Sequence, residues 1–106
     1  MSDDDDFELQ LGLLREKFRA RLSVYRNRLA EARSLYTQGQ GEEAVRRLRA
    51  VAHELAGAGG TFGYGELSDL ATELEAAADL ALRGNAPLDG VIAPLRQLMR
   101  EIDLSL

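Results

Sequence analysis

His53 is the one histidine in a chain of 106 residues that has no cysteine. It stands in the run Ala52-His53-Glu54-Leu55-Ala56-Gly57-Ala58-Gly59-Gly60-Thr61-Phe62-Gly63. An imidazole that lies off the apolar stripe of a helix, among residues too small to crowd it, can accept a phosphoryl group brought by a partner protein. At 3.6 residues per turn, His53 falls about 130° from the centre of the stripe Leu48, Ala52 and Leu55, at the edge of the solvent face. Its neighbours along the helix are Arg49 and Ala50 on one side and Ala56 and Gly57 on the other, with Gly60 a further turn along. A long side chain at position 57 would lie against the ring, so glycine there clears access at a helix cost of roughly 1 kcal/mol. Spacing alone also allows a plainer account, in which His53 is an ordinary surface histidine and Gly57, Gly59 and Gly60 merely fray the helix end.

Other chemistries meet specific obstacles. The lack of cysteine removes disulfides, thiolate catalysis and thiolate metal sites, and with a single histidine a zinc site would need carboxylates for all its remaining ligands. Gly57-Ala58-Gly59-Gly60-Thr61-Phe62 departs from the dinucleotide fingerprint at Phe62 and follows a helix where a strand is required. Gly60 and Gly65 have the Walker spacing, but Glu66 stands where lysine must be. The carboxylate pairs Glu42/Glu43 and Glu73/Glu75 show no cleft that would raise one pKa for acid–base work. Thirteen basic against 18 acidic side chains give a net charge of −5, which disfavours nucleic acid. The dense basic cluster Arg46, Arg47 and Arg49 is short and flanked by acids, and reads as a solvated helix face.

The elements that must position His53 are helical throughout. Leu11, Leu14, Phe18, Leu22, Tyr25, Leu29, Ala32 and Tyr36 alternate spacings of three and four, which predicts one long helix ending at Thr37-Gln38-Gly39-Gln40-Gly41. A second helix starts near Glu42 with the stripe Ala44, Val45, Leu48, Val51, Ala52 and Leu55, and closes at Phe62-Gly63-Tyr64-Gly65. A third carries Leu67, Leu70, Ala71, Leu74, Ala77, Ala78 and Ala81 and stops at Arg83-Gly84-Asn85. A fourth carries Leu88, Val91, Ile92, Leu95, Leu98, Met99 and Ile102. Pro94 lies inside its pattern and predicts either a kink or a helix that begins only a few residues earlier. Leu13, Val24, Leu35, Leu80 and Leu82 fall off the stripes, and either widen the core or form exposed contact surface.

Four amphipathic helices joined by short connections predict an all-α, antiparallel up-down four-helix bundle over residues 7–106. The run Asp3-Asp4-Asp5-Asp6 predicts a disordered, mobile acidic tail over residues 1–6. With 45% hydrophobic residues the chain can bury one modest core, and four helices can close it within a monomer. The acidic start is unlike a secretory signal, and no stretch approaches 18 uncharged apolar residues, so a soluble cytoplasmic protein is expected.

Taken together, the run around His53 resembles the histidine-containing phosphotransfer domain, HPt, whose signature is histidine, any residue, leucine, lysine, glycine, then a glycine ten residues after the histidine. His53, Leu55, Gly57 and Gly63 match, Phe62 fills the large apolar position before that glycine, and Leu67, Leu70, Leu74 and Glu75 resemble the next helix of the family. The resemblance spans about Leu11 to Ile102 and includes the Arg83-Gly84 stop. It implies a phosphoryl carrier without an ATP site or turnover of its own, passing phosphoryl groups between a receiver-domain aspartate and Nε2 of His53. The implied partners are receiver domains of response regulators or hybrid histidine kinases. No cofactor belongs to the carrier itself, and Mg²⁺ is expected on the receiver. Glu75, on the facing helix, would accept a hydrogen bond from Nδ1 and fix the tautomer that presents Nε2. Partner contact is expected at Arg49, Ala56, Gly57, Gly60 and Tyr64. One signature residue departs, because the family's lysine is Ala56 here, which leaves Arg49 as the nearest cation to offset phosphate charge. The alternative is a degenerate module that docks a receiver or kinase without being phosphorylated.

Overall fold

The computed structural model describes residues 3–106. Its elements are α1 (Asp3–Thr37), α2 (Gly41–Thr61), α3 (Gly65–Leu82), a 3₁₀ turn (Leu88–Val91) and α4 (Ile92–Ser105). No strand occurs among the described residues, and none of their helices is long and apolar enough to cross a membrane.

Glycine sets three of the helix ends by one device. Gly39, Gly63 and Gly84 are the positive-φ residues, at 87°, 83° and 76°, a conformation in which a Cβ would be strained. Each is followed by an amide that reaches back to a carbonyl of the last helical turn: Gln40 to Leu35 at 3.0 Å, Tyr64 to Gly59 at 2.8 Å and Asn85 to Leu80 at 2.9 Å. This is the Schellman arrangement, which satisfies carbonyls that the helix end would leave unpaired. The other glycine of the first turn, Gly41, is helical instead and opens α2, one residue before the predicted start.

The acidic run differs from expectation. Asp3 to Asp6 form the first turn of α1. Four carboxylates beside unpaired amides at the positive end of a helix favour the helical state there. Met1 and Ser2, the rest of the expected tail, lie outside the described residues. Pro94 resolves to the second alternative: α4 begins at Ile92, so the missing amide hydrogen falls in the first turn, where it has no intrahelical partner to lose.

The core gathers Phe18, Leu22 and Leu29 of α1, Leu48 and Leu55 of α2, Leu67 and Leu74 of α3, and Leu95, Leu98 and Ile102 of α4, all buried. The most extensive helix pair is α2 with α3. Between α2 and α3, and between α1 and α4, cross-helix contacts fall along one helix as they rise along the other: His53 pairs with Glu75 and Arg49 with Asp79, and Arg26 with Asp103 and Arg33 with Met99. Arg28 of α1 pairs with Glu54 of α2. Tyr36, at the far end of the first stripe, is half-buried, and two members at its start stay outside the core, Leu14 in the open and Leu11 half-buried. The reason is length: α1 has 35 residues against 21 in α2, so its amino-terminal part overhangs the bundle. Among the off-stripe residues, Leu13, Val24 and Leu80 are exposed, whereas Leu35 and Leu82 are half-buried.

The ion pair of Arg26 with Asp103 ties α1 to α4, with Nε 2.7 Å from Oδ1. The hydrogen bond from Arg26 holds the Asp103 carboxyl below the usual aspartate range. A depressed carboxylate contributes stability above its unfolded pKa and loses that contribution as the pH falls through its folded value. Asp103→Asn is therefore expected to lower stability at neutral pH by about 1 kcal/mol or less, since both partners are solvated. The difference from the parent should vanish in strong acid, as urea unfolding at the two pH values will show.

Candidate functional site

His53 sits on the middle turns of α2, where Val51, Ala52 and Leu55 turn inward and are buried. That anchoring leaves the ring outside, with its side chain 76% exposed. Leu74 and Ala78 of α3 are likewise buried, and the turn between them directs Glu75 to the seam with α2. There His53 Nδ1 and Glu75 Oε2 are 2.7 Å apart. Glu75 is the better shielded partner, at 27% exposure. An ionised carboxylate can only accept, so a ring that donates across this contact carries its proton on Nδ1 and its lone pair on Nε2.

An open groove runs beside the ring, lined by Arg28, Arg46, Arg49, Ala50, His53, Glu54, Glu75, Asp79 and Arg83. Three helices and a helix stop supply four arginines and three carboxylates to it. Arg49 Nη1 lies 3.1 Å from Asp79 Oδ1, Arg28 pairs with Glu54, and Arg46 Nη2 lies 2.7 Å from Glu42 Oε1. Each of these pairs is substantially solvated, so its carboxylate holds the guanidinium only weakly against a competing anion. A doubly charged phosphoryl group is such an anion, and guanidinium is well suited to it. Among the described residues, no group of three or more histidine, cysteine or acidic side chains is placed to hold a metal ion.

The expected site residues separate into two sets. Glu75 and Arg49 lie with His53 in the groove. Gly57 is exposed one turn along α2, and a Cβ built there meets nothing within 4 Å. Ala56 is half-buried, and its carbonyl accepts a hydrogen bond from Ser68 Oγ at 2.7 Å. Gly60 is exposed two turns along, near that same hydroxyl. Tyr64 differs from the expected exposed contact at the start of α3. Its ring is half-buried and stacks on Phe18 with centroids 4.8 Å apart, closing the end of the core.

Arg28, Arg46, Arg83 and Asp79 belong to the groove without having been expected at the site from the sequence. Arg28 and Arg83 lie far from His53 in the chain, and Arg46 carried the ordinary signature of a solvated face through its spacing of four from Glu42. The buried glycine is Gly59, where a Cβ would come within 3.3 Å of the Ser68 amide nitrogen and the Tyr64 carbonyl oxygen. What approaches the glycine-rich turn closely is therefore the first turn of α3.

Searches of curated proteins and of solved structures gave no match. The sequence profile of the Hpt domain matches residues 13–104, nearly the entire chain. Its members are phosphocarrier modules that act in histidine phosphotransfer within phosphorelay signalling. With a matching profile over the four helices and a solvent-exposed histidine on the second of them, the chain belongs to the Hpt domain family.

Proposed function

We propose that this protein accepts a phosphoryl group on Nε2 of His53 from a receiver-domain aspartate and returns it to another. The observation that carries this reading is the 2.7 Å contact of Nδ1 with Glu75 on a ring that is 76% exposed. One nitrogen is held, and the opposite edge faces solvent. In the forward step the aspartyl phosphate's P–O bond breaks as the Nε2 lone pair forms the P–N bond, and the Nδ1 proton stays within reach of Glu75. The reverse step returns the phosphoryl group to a carboxylate oxygen. Docking supplies the in-line geometry and the receiver supplies Mg²⁺, so the carrier contributes an oriented neutral imidazole and little else. The groove arginines, Arg49 first among them, supply the positive charge that Ala56 does not. An antiparallel up-down order of the helices is part of this reading, supported by the opposed numbering of the cross-helix pairs. Partner contact then centres on the exposed face at Arg49, Gly57 and Gly60, with Ala56 at its margin.

The test is incubation with a phosphorylated receiver. Acid-labile label should appear on the protein and be lost in His53→Gln, with the circular dichroism of the variant unchanged. Docking of the receiver without transfer of label would assign the chain to the non-phosphorylated alternative, a module that sequesters its partner.

A further inference from the structure

The stripe that builds the core continues after the core has ended. Phe7, Leu11, Leu14 and Phe18 follow at intervals of four, three and four residues, and at 100° per residue they share one face of α1. Phe18 is sealed under Phe62 and Tyr64. Beyond it α1 outruns the other helices, with Arg15 still beside Gly63 of the α2–α3 turn, and Phe7 and Leu14 are 67% and 44% exposed. A lone helical segment of this length is marginal in water unless its apolar face is covered.

The charges along the segment indicate what covers it. Its first part is acidic, with Asp3 to Asp6 and Glu8, and the part next to the bundle carries Arg15 and Lys17 around a single acid, Glu16, which pairs with Arg19 at 3.2 Å. Laid parallel, two such segments would set like charge on like. Laid antiparallel, they set the acidic part of each beside the basic part of the other. The apolar positions outside the core have the same symmetry: Leu11 and Leu14 lie equally far from the midpoint between residues 12 and 13, while Phe18 is buried in its own core. Glu8 and Arg15 flank the stripe on the same edge, and in an antiparallel pair of helices it is residues of the same edge that face each other across the seam.

We infer that the overhang of α1 pairs with the overhang of a second copy, antiparallel about a two-fold axis. The surface is self-complementary, as a closed two-fold dimer requires. Because the four-helix core is complete within one chain, assembly adds only this seam. An overhang of about 15 residues is roughly 22 Å long, so the interface belongs to the small, weak class and the dimer forms reversibly with concentration. The monomer expected from the sequence took account of the four helices of the core and not of the overhang. The inference does not depend on phosphorylation of His53.

Sedimentation velocity on the full chain across a range of concentrations tests it. The expected result is a reversible monomer–dimer equilibrium whose Kd rises at least about tenfold in Leu14→Glu. Glu8→Arg should weaken the dimer, and adding Arg15→Glu in the same chain should restore it. Circular dichroism of each variant reports that the bundle remains folded. A chain that stays monomeric at every concentration overturns the inference, as does a dimer indifferent to Leu14→Glu. A dimer that Glu8→Arg leaves as tight as before, or that Arg15→Glu fails to restore, would overturn it equally.

Discussion

Replacing Glu75 by alanine is expected to slow phosphoryl acceptance by His53 about 10–100-fold while the bundle stays folded. The ring of His53 is 76% exposed and has one fixed hydrogen-bond partner, the Glu75 carboxylate at 2.7 Å. Without that acceptor the ring samples both tautomers and more than one rotamer, and only a fraction of encounters present a lone pair on Nε2 in line with the phosphorus. Stability should change by no more than about 1 kcal/mol, since an ion-pair partner at the surface contributes little to folding. Glu75→Gln separates orientation from charge: its amide oxygen still accepts from Nδ1, so its rate should fall between the two. Nitrogen chemical shifts of the imidazole provide a readout that a merely structural role would not move, because they report the proton's position directly. Wild-type rates together with wild-type tautomer populations in Glu75→Ala would remove Glu75 from the proposed mechanism.

The helices were legible because their apolar stripes repeat at helical spacing, and their ends because Gly39, Gly63 and Gly84 supply a conformation that other residues resist. The partnership of His53 with Glu75 was of another kind. It joins two helices, and its register is set by how closely α2 and α3 approach at Gly59 and Ser68, a distance that no periodicity along one helix contains. Family resemblance pointed to Glu75, and no property of the intervening residues would have. The groove beyond Arg49 escaped for the same reason: Arg28 and Arg83 come from distant places in the chain, each locally indistinguishable from a solvated surface. The overhang shows a limit of pattern reading in the opposite direction. Leu11 and Leu14 satisfy the stripe as well as Leu22 does, but whether a stripe is buried depends on the length of the helices opposite.

Gly57 and Gly59, two residues apart in α2, should respond to a side chain with opposite signs. At Gly57 a Cβ meets nothing within 4 Å, and the residue is exposed in a helical conformation. Gly57→Ala is therefore expected to raise stability by about 0.4–1 kcal/mol, through the lower chain entropy of the unfolded state. At Gly59 the same atom would stand 3.3 Å from the Ser68 nitrogen and from the Tyr64 oxygen. Both are backbone atoms, and the Tyr64 carbonyl already accepts the Ser68 amide at 3.0 Å in the first turn of α3. That turn can yield only by moving as a unit away from α2. Gly59→Val should accordingly cost about 1–3 kcal/mol, the usual range for overpacking a tight contact, and β-branching adds to the cost in a helix. The displacement also draws Ser68 Oγ from the Ala56 carbonyl, now 2.7 Å away, and loosens the seam that places Glu75 beside His53. Denaturant midpoints of the two variants test the sign, and the phosphoryl-acceptance rate of Gly59→Val tests the consequence for the site. If Gly59→Val proved as benign as Gly57→Ala, the close approach of α2 and α3 could not be what sets the histidine–carboxylate register.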